Sequence, residues 1–167
     1  MIGATVKKID WKNLSYYDFI GIVAVTAILL FVLYFGWLWH ATYDYRIQMR
    51  DQMVGMYQHL PEPLPIVSED YGVHQRWLVF YIDGVKILNK PQPENVLNEY
   101  KKALEKEGWD AEREYVRNDK NKTYGVNMRK GEFILSVSAR ENRDSINIHL
   151  IKRDWIYHMA VSYTHLR

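Results

Sequence analysis

The sequence predicts an α+β protein with a single transmembrane helix, and three observations carry that reading. Phe19 to Trp39, FIGIVAVTAILLFVLYFGWLW, holds no charge and no Pro. Pro93 to Glu107 shows one apolar face at helical spacing. Residues 124–151 alternate apolar with polar side chains, as strands do.

A 21-residue helix rises about 30 Å, the thickness of a bilayer's hydrocarbon core. The run is apolar all round, whereas a helix at a water-soluble surface keeps a polar face. Residues 1–18 are a short tail before it. No small-x-small cleavage site follows the run, so an uncleaved signal anchor is expected. Tyr16 and Tyr17 on one side, and Trp37, Trp39, Tyr43 and Tyr45 on the other, supply aromatic belts. Lys7, Lys8 and Lys12 precede the run and only Arg46 and Arg50 follow closely. That balance places the tail in the cytoplasm and the C-terminal part outside, as in a bacterial inner or cell membrane.

Residues 40–60 contain no Pro, and Tyr45, Met49, Met53, Met56 and Leu60 recur at spacings of 4, 4, 3 and 4. The helix is therefore expected to continue out of the membrane as a juxtamembrane helix ending before Pro61. Its stripe either packs on the chain's own domain or the lipid surface, or pairs with another chain, including a second copy, through Met49, Met53 and Met56. Residues 61–75 read as a linker: Pro61, Pro63 and Pro65 favour an extended spacer, and 66–75 show no usable periodicity.

Residues 76–155 read as a soluble α+β domain. Trp77 to Ile82 is a buried strand, and Asp83-Gly84 either turns it into a hairpin with Val85 to Leu88 or forms a bulge. Pro93 opens the domain's helix, Val96, Leu97, Tyr100, Ala103 and Leu104 form its apolar face, and Gly108 ends it. A Lys130-Gly131 turn would set Met128 opposite Phe133 and Val126 opposite Leu135. An Asn142-Arg143 turn would set Ala139 opposite Ile146, Val137 opposite Ile148 and Leu135 opposite Leu150. These registers gather the large apolar residues on one face, Ile134 and Ile151 excepted. Ala111 to Val116 is a further strand of open register, because Arg113 points inward in the simplest pairing. The expected domain is a four- to five-stranded antiparallel meander covered on one face by helix 93–107.

Residues 156–167 read as a tail. Within it, AVSYTHL (160–166) resembles the in-frame translation of a sequencing adaptor, so nothing functional is argued from it.

The chemistry-bearing residues are sparse. There is no Cys, which excludes disulfides, thiolate metal sites and Cys nucleophiles. None of the six His lies three or four residues from another, so no metal-ligand spacing occurs. A net charge of +2 with closely interleaved signs gives no basic stripe for nucleic acid. Ser136 lies opposite His149, but on an open sheet without an oxyanion hole, so no catalytic residue, cofactor or metal is expected. Glu105, Glu107, Asp110, Glu112 and Glu114 read as a solvated edge. Asn121-Lys-Thr123 fits a glycosylation sequon, which matters only in a eukaryotic secretory pathway.

The sheet's outer face carries Asn127, Ile134, Ser136, His149 and Ile151, and the two isoleucines are the expected anchors of a docking surface. The layout of tail, span, helical spacer and α+β domain resembles bitopic inner-membrane subunits of bacterial envelope machines, a likeness of architecture that carries no residue over. The function expected is that of a membrane-anchored, extracytoplasmic interaction module, a non-enzymatic subunit or scaffold with a protein partner. The alternative is a small membrane-bound sensor binding a ligand between helix 93–107 and the sheet.

Overall fold

Helix α1, Tyr16–Ala41, starts where Ser15 and Asp18 form a capping box: the Ser15 hydroxyl accepts from Tyr17 N and the Asp18 carboxylate accepts from Ser15 N. The computed structural model describes residues 15–89, 92–118 and 121–164, with side chains to residue 159. Lys7, Lys8 and Lys12, on which the orientation argument rests, lie outside those residues, as do the side chains of the AVSYTHL string. α1 is long and apolar enough to cross a bilayer, and Phe19, Leu29, Leu33 and Trp37 are among its exposed side chains. It ends at Thr42, whose N–H and Oγ1–H both donate to Leu38 O, at 3.0 and 2.8 Å. The chain divides into two units after Tyr43.

The second unit opens with most of α2, Tyr43–Gln58. A single interrupted residue, Thr42, separates it from α1, where the sequence suggested one continuous helix. Met49, Met53, Tyr57 and Leu60 are buried in the unit's own core. Each such side chain contributes about 1.5–3 kcal/mol of transfer free energy. Met49 and Met53 are therefore not an exposed stripe for another chain, and Met56 is partly buried against the same core. The stripe packs at home because the sheet exposes more apolar surface than one helix can cover.

Six strands form one antiparallel sheet in the order β1-β2-β6-β5-β4-β3: β1 Ile66–Arg76, β2 Val79–Leu88, β3 Asp110–Asn118, β4 Lys122–Lys130, β5 Phe133–Arg140 and β6 Ser145–Lys152. β1 occupies what the sequence suggested was linker. As an edge strand exposed along nearly all its length, it carries no alternation to read. β2 runs straight through Asp83-Gly84, so that pair is neither turn nor bulge. The turn lies earlier, at Trp77 (φ 56°) and Leu78, with Gln75 Nε2 donating to Trp77 O at 2.7 Å. The sheet is thus a hairpin, β1–β2, joined through β2–β6 to a four-strand meander.

α3, Pro93–Lys106, carries the chain across the apolar face from β2 to the far edge. Its C-terminus closes as a Schellman motif, with Trp109 N donating to Leu104 O, Gly108 N to Glu105 O, and Gly108 at φ +81°. Val96, Leu97, Tyr100 and Leu104 face the core strands' Val126, Met128, Leu135, Val137, Ile148 and Leu150.

The β5–β6 register pairs Ala139 with Ile146, Val137 with Ile148 and Leu135 with Leu150, as the apolar pattern requires. In β4–β5 the pairs are Lys130 with Phe133, Met128 with Leu135 and Val126 with Val137, two residues from the suggested register but on the same face. Gly131, at φ +61°, takes the first central position of the turn, the pattern of a type II′ loop. A bulge between Ala111 and Arg113 turns Arg113 outward, opposite Asn127.

After β6 the chain forms α4, Trp155–Thr164, where the sequence suggested an irregular tail. Asp154 caps it through Tyr157 N (2.9 Å) and accepts the Tyr45 hydroxyl of α2 (2.6 Å). α4 packs against β2, and Ile156 is fully buried. At this end of the outer face Val79 and Ile134 are buried too, Ile134 at 5% exposure. Ile134 is thus not an exposed docking anchor, although it does pair with Ile151 across β5–β6. The tail taken as irregular is instead a helix packed on β2.

Candidate functional site

The alternation of strand side chains gives the outer face a readable grid. One cross-strand row runs over all six strands: Gly72, Asp83, His149, Ser136, Asn127 and Arg113. Ser136 Oγ–H donates to Asn127 Oδ1 at 2.8 Å, and His149 Nδ1 lies 2.7 Å from Asp83 Oδ1. From β1, His74 Nε2 approaches the other carboxylate oxygen at 4.0 Å. Tyr81 stands between the two imidazoles, its ring 5.2 Å from His74 and 5.6 Å from His149.

Ser136, His149 and Asn127 are thus brought into one row. Ile134 and Ile151 lie in the next, Ile134 buried and Ile151 half-buried. Sequence reasoning missed Asp83 because its Asp-Gly dipeptide resembles a turn, and missed His74 because β1 was unrecognised. Although Ser136, His149 and Asp83 lie in sequence along the row, Ser136 donates its proton to Asn127 rather than to His149. The hydroxyl is therefore not aimed at the imidazole that would have to activate it.

Asp70 and Arg76 on β1 and Asp83 on β2 share this face with the imidazoles of His74 and His149. Arg113 and Arg117 on β3 and Arg140 on β5 are exposed on the other half, and Arg140 Nε lies 3.4 Å from Thr123 Oγ1. None of these three arginines forms an ion pair with a described residue. Gly125 lies between them and is covered by the Tyr115 ring, which a Cβ at that position would strike.

The opposite face holds a buried polar tie that the sequence did not signal. Lys86, 2% exposed, places Nζ 3.0 Å from Glu62 and 3.3 Å from Glu69, with the Tyr57 ring centroid 5.9 Å away. Tyr57 lies over Gly84, where a Cβ would overlap the phenol. Burial pushes the Tyr57 and Tyr100 hydroxyls well above the usual tyrosine range. The nearby Glu69 carboxylate adds to the shift at Tyr57, while Glu62 and Glu69 add to it at Tyr100. Among the described residues neither hydroxyl has a partner in full hydrogen-bond geometry, although Glu69 lies close enough to Tyr57 to contribute to its shift.

A groove of about 570 Å³ runs between the ends of α2 and α3 and the β4–β5 turn, lined by Met56, Leu60, Trp109 and Phe133 together with His59 and Lys130. Lys130 Nζ donates to Glu107 O at 2.6 Å beside it. Among the described residues no three His, Asp or Glu side chains are grouped to hold a metal ion.

The class defined by this fold is an α+β unit with a six-stranded antiparallel sheet, in a chain that also carries one long apolar helix. No protein-family model, curated protein or solved structure matches the chain.

Proposed function

We propose that the chain is a membrane-anchored interaction module of the bacterial cell envelope, a non-enzymatic subunit or scaffold whose second unit lies outside the cytoplasm. Support for the anchor comes from α1, whose 26 residues rise about 39 Å, enough to span a hydrocarbon core with some tilt. The observation that carries the docking role is the group of exposed arginines on the outer face toward β3. Exposed Arg113, Arg117 and Arg140 pair with no carboxylate among the described residues, which suits an acidic surface on a protein partner.

Three measurements test this. Alkaline extraction should leave the full-length chain in the membrane pellet; release into the supernatant removes the anchor. Because the chain has no Cys, Ser138→Cys is a clean topology reporter. It should react with an impermeant thiol reagent before the inner membrane is lysed, and labelling only after lysis reverses the orientation. The combined Arg113→Glu, Arg117→Glu and Arg140→Glu variant should lose its co-purifying partner while its circular dichroism stays unchanged. Undiminished recovery would remove the outer face from consideration.

The groove beside α2 favours a second reading, a sensor that binds a small apolar ligand there. Met56→Trp, which would fill the groove, should then abolish signalling while the arginine variant leaves it intact.

A further inference from the structure

The two edges of the sheet are unlike. The β3 edge carries Asp110, Glu112, Arg113, Glu114 and Arg117 and is interrupted by a bulge between Ala111 and Arg113. Charges and bulges are the usual means by which an edge resists pairing. β1 runs for eleven residues with neither Pro nor Lys, and its irregularity is confined to its first residues, between Ile66 and Ser68. Tyr71 and Val73 are both 39% exposed on this edge, and they lie on one side because they pair with Gly84 and Ile82. The inward charge of the strand, Glu69, is already matched by Lys86 at 3.3 Å.

We propose that β1 is a self-pairing edge: β1 of a second copy adds antiparallel, centred on Gly72, and joins two six-stranded sheets into one. The side chains select this register. Residues whose numbers sum to 144 face each other, so Asp70 meets His74 twice, Tyr71 meets Val73 twice, and Ser68 meets Arg76 twice. Opposite-charge and aromatic–β-branched pairs directly across strands are the favourable ones. Asp70 makes no ion pair with a described residue, so its carboxylate is free to take the partner imidazole. Gly72 falls on the two-fold axis, where its lack of a side chain leaves room for the His74 rings, one of which already lies over it. Every pair joins residues of the same parity, so both copies keep their helix-covered faces on one side. A shift by two residues toward Tyr71 puts Asp70 opposite Gly72 and Tyr71 opposite itself, and loses these pairs.

The test uses the full chain, solubilised in detergent and returned to lipid vesicles. Residues 68 and 76 are about 27 Å apart along one strand, so they cannot bridge within a chain. The Ser68→Cys, Arg76→Cys double variant should give a covalent dimer on mild oxidation, and an Arg113→Cys, Arg117→Cys pair on the other edge should not. Asp70→Arg and His74→Asp should each weaken dimerisation by about tenfold, and the two together should restore it, because the pair is only exchanged. Circular dichroism of each variant checks that the unit stays folded. Monomers at all concentrations would overturn the proposal. So would cross-linking no faster at β1 than at β3, or a dimer indifferent to the charge exchange.

Discussion

Tyr100 shows how much one buried hydroxyl matters. It is 1% exposed, its oxygen has no hydrogen-bond partner among the described residues, and burial raises its pKa. A buried unpaired polar group costs about 1–3 kcal/mol, so Tyr100→Phe should leave stability unchanged or raise it by about 1 kcal/mol. Denaturant titration at neutral pH checks this, and a clear loss would mean that the hydroxyl has a partner. The same residue predicts a pH dependence. Tyr45, Tyr57 and Tyr100 all have raised pKa values in the folded chain, chiefly through burial. Their contribution is complete below the unfolded tyrosine value of about 10 and is lost as pH rises beyond it toward the folded value. Thermal midpoints should therefore be insensitive to these groups at neutral pH and fall above pH 10, less steeply in Tyr100→Phe. None of this was legible in the sequence, where a Tyr on an apolar helix face looks the same with or without a partner for its oxygen.

At the scale of elements, α4 is held by one carboxylate. Asp154, 2% exposed, caps the helix through Tyr157 N and accepts the Tyr45 hydroxyl. Lys152 Nζ lies 3.3 Å from that hydroxyl. Asp154→Ala removes the cap and leaves the Tyr45 hydroxyl without its acceptor, a loss of about 2–3 kcal/mol. A chain ending at Met159 keeps Asp154 and Ile156, and its thermal midpoint should stay within about 2 °C of the full chain. A chain ending at Asp154 should melt lower, because it loses the fully buried Ile156 and the packing of α4 on β2. Equal midpoints for the two truncations would show that α4 does not protect the sheet. α3 and the β5–β6 register were legible from the sequence because their alternation is strict and their ends carry Pro93 and Gly108. β1 was not, because a strand exposed on both faces has no pattern to betray it.

At the scale of the whole molecule, the boundary of the folding unit is the decisive point. A chain beginning at Asp44 retains Met49, Met53, Tyr57 and Leu60 and should fold in water, with cooperative melting and dispersed amide signals. One beginning at Ile66 lacks α2, exposes the sheet's apolar face and should aggregate. Equal behaviour of the two would mean that α2 is not part of the core. The sequence by itself determined the apolar helix, the amphipathic α3, the faces of β4, β5 and β6, and the pairing of Ser136 with His149 and of Ile134 with Ile151. Each of these follows from local periodicity, which side-chain chemistry writes directly into the chain. Only the tertiary structure decided where the Met stripe goes, that Asp83 meets His149 and His74, that Lys86 is buried, and that Ile134 is covered. Those outcomes depend on which surfaces meet across tens of residues. Tyr57 lies over Gly84 because the glycine leaves room for a ring, and no spacing within either segment records that encounter.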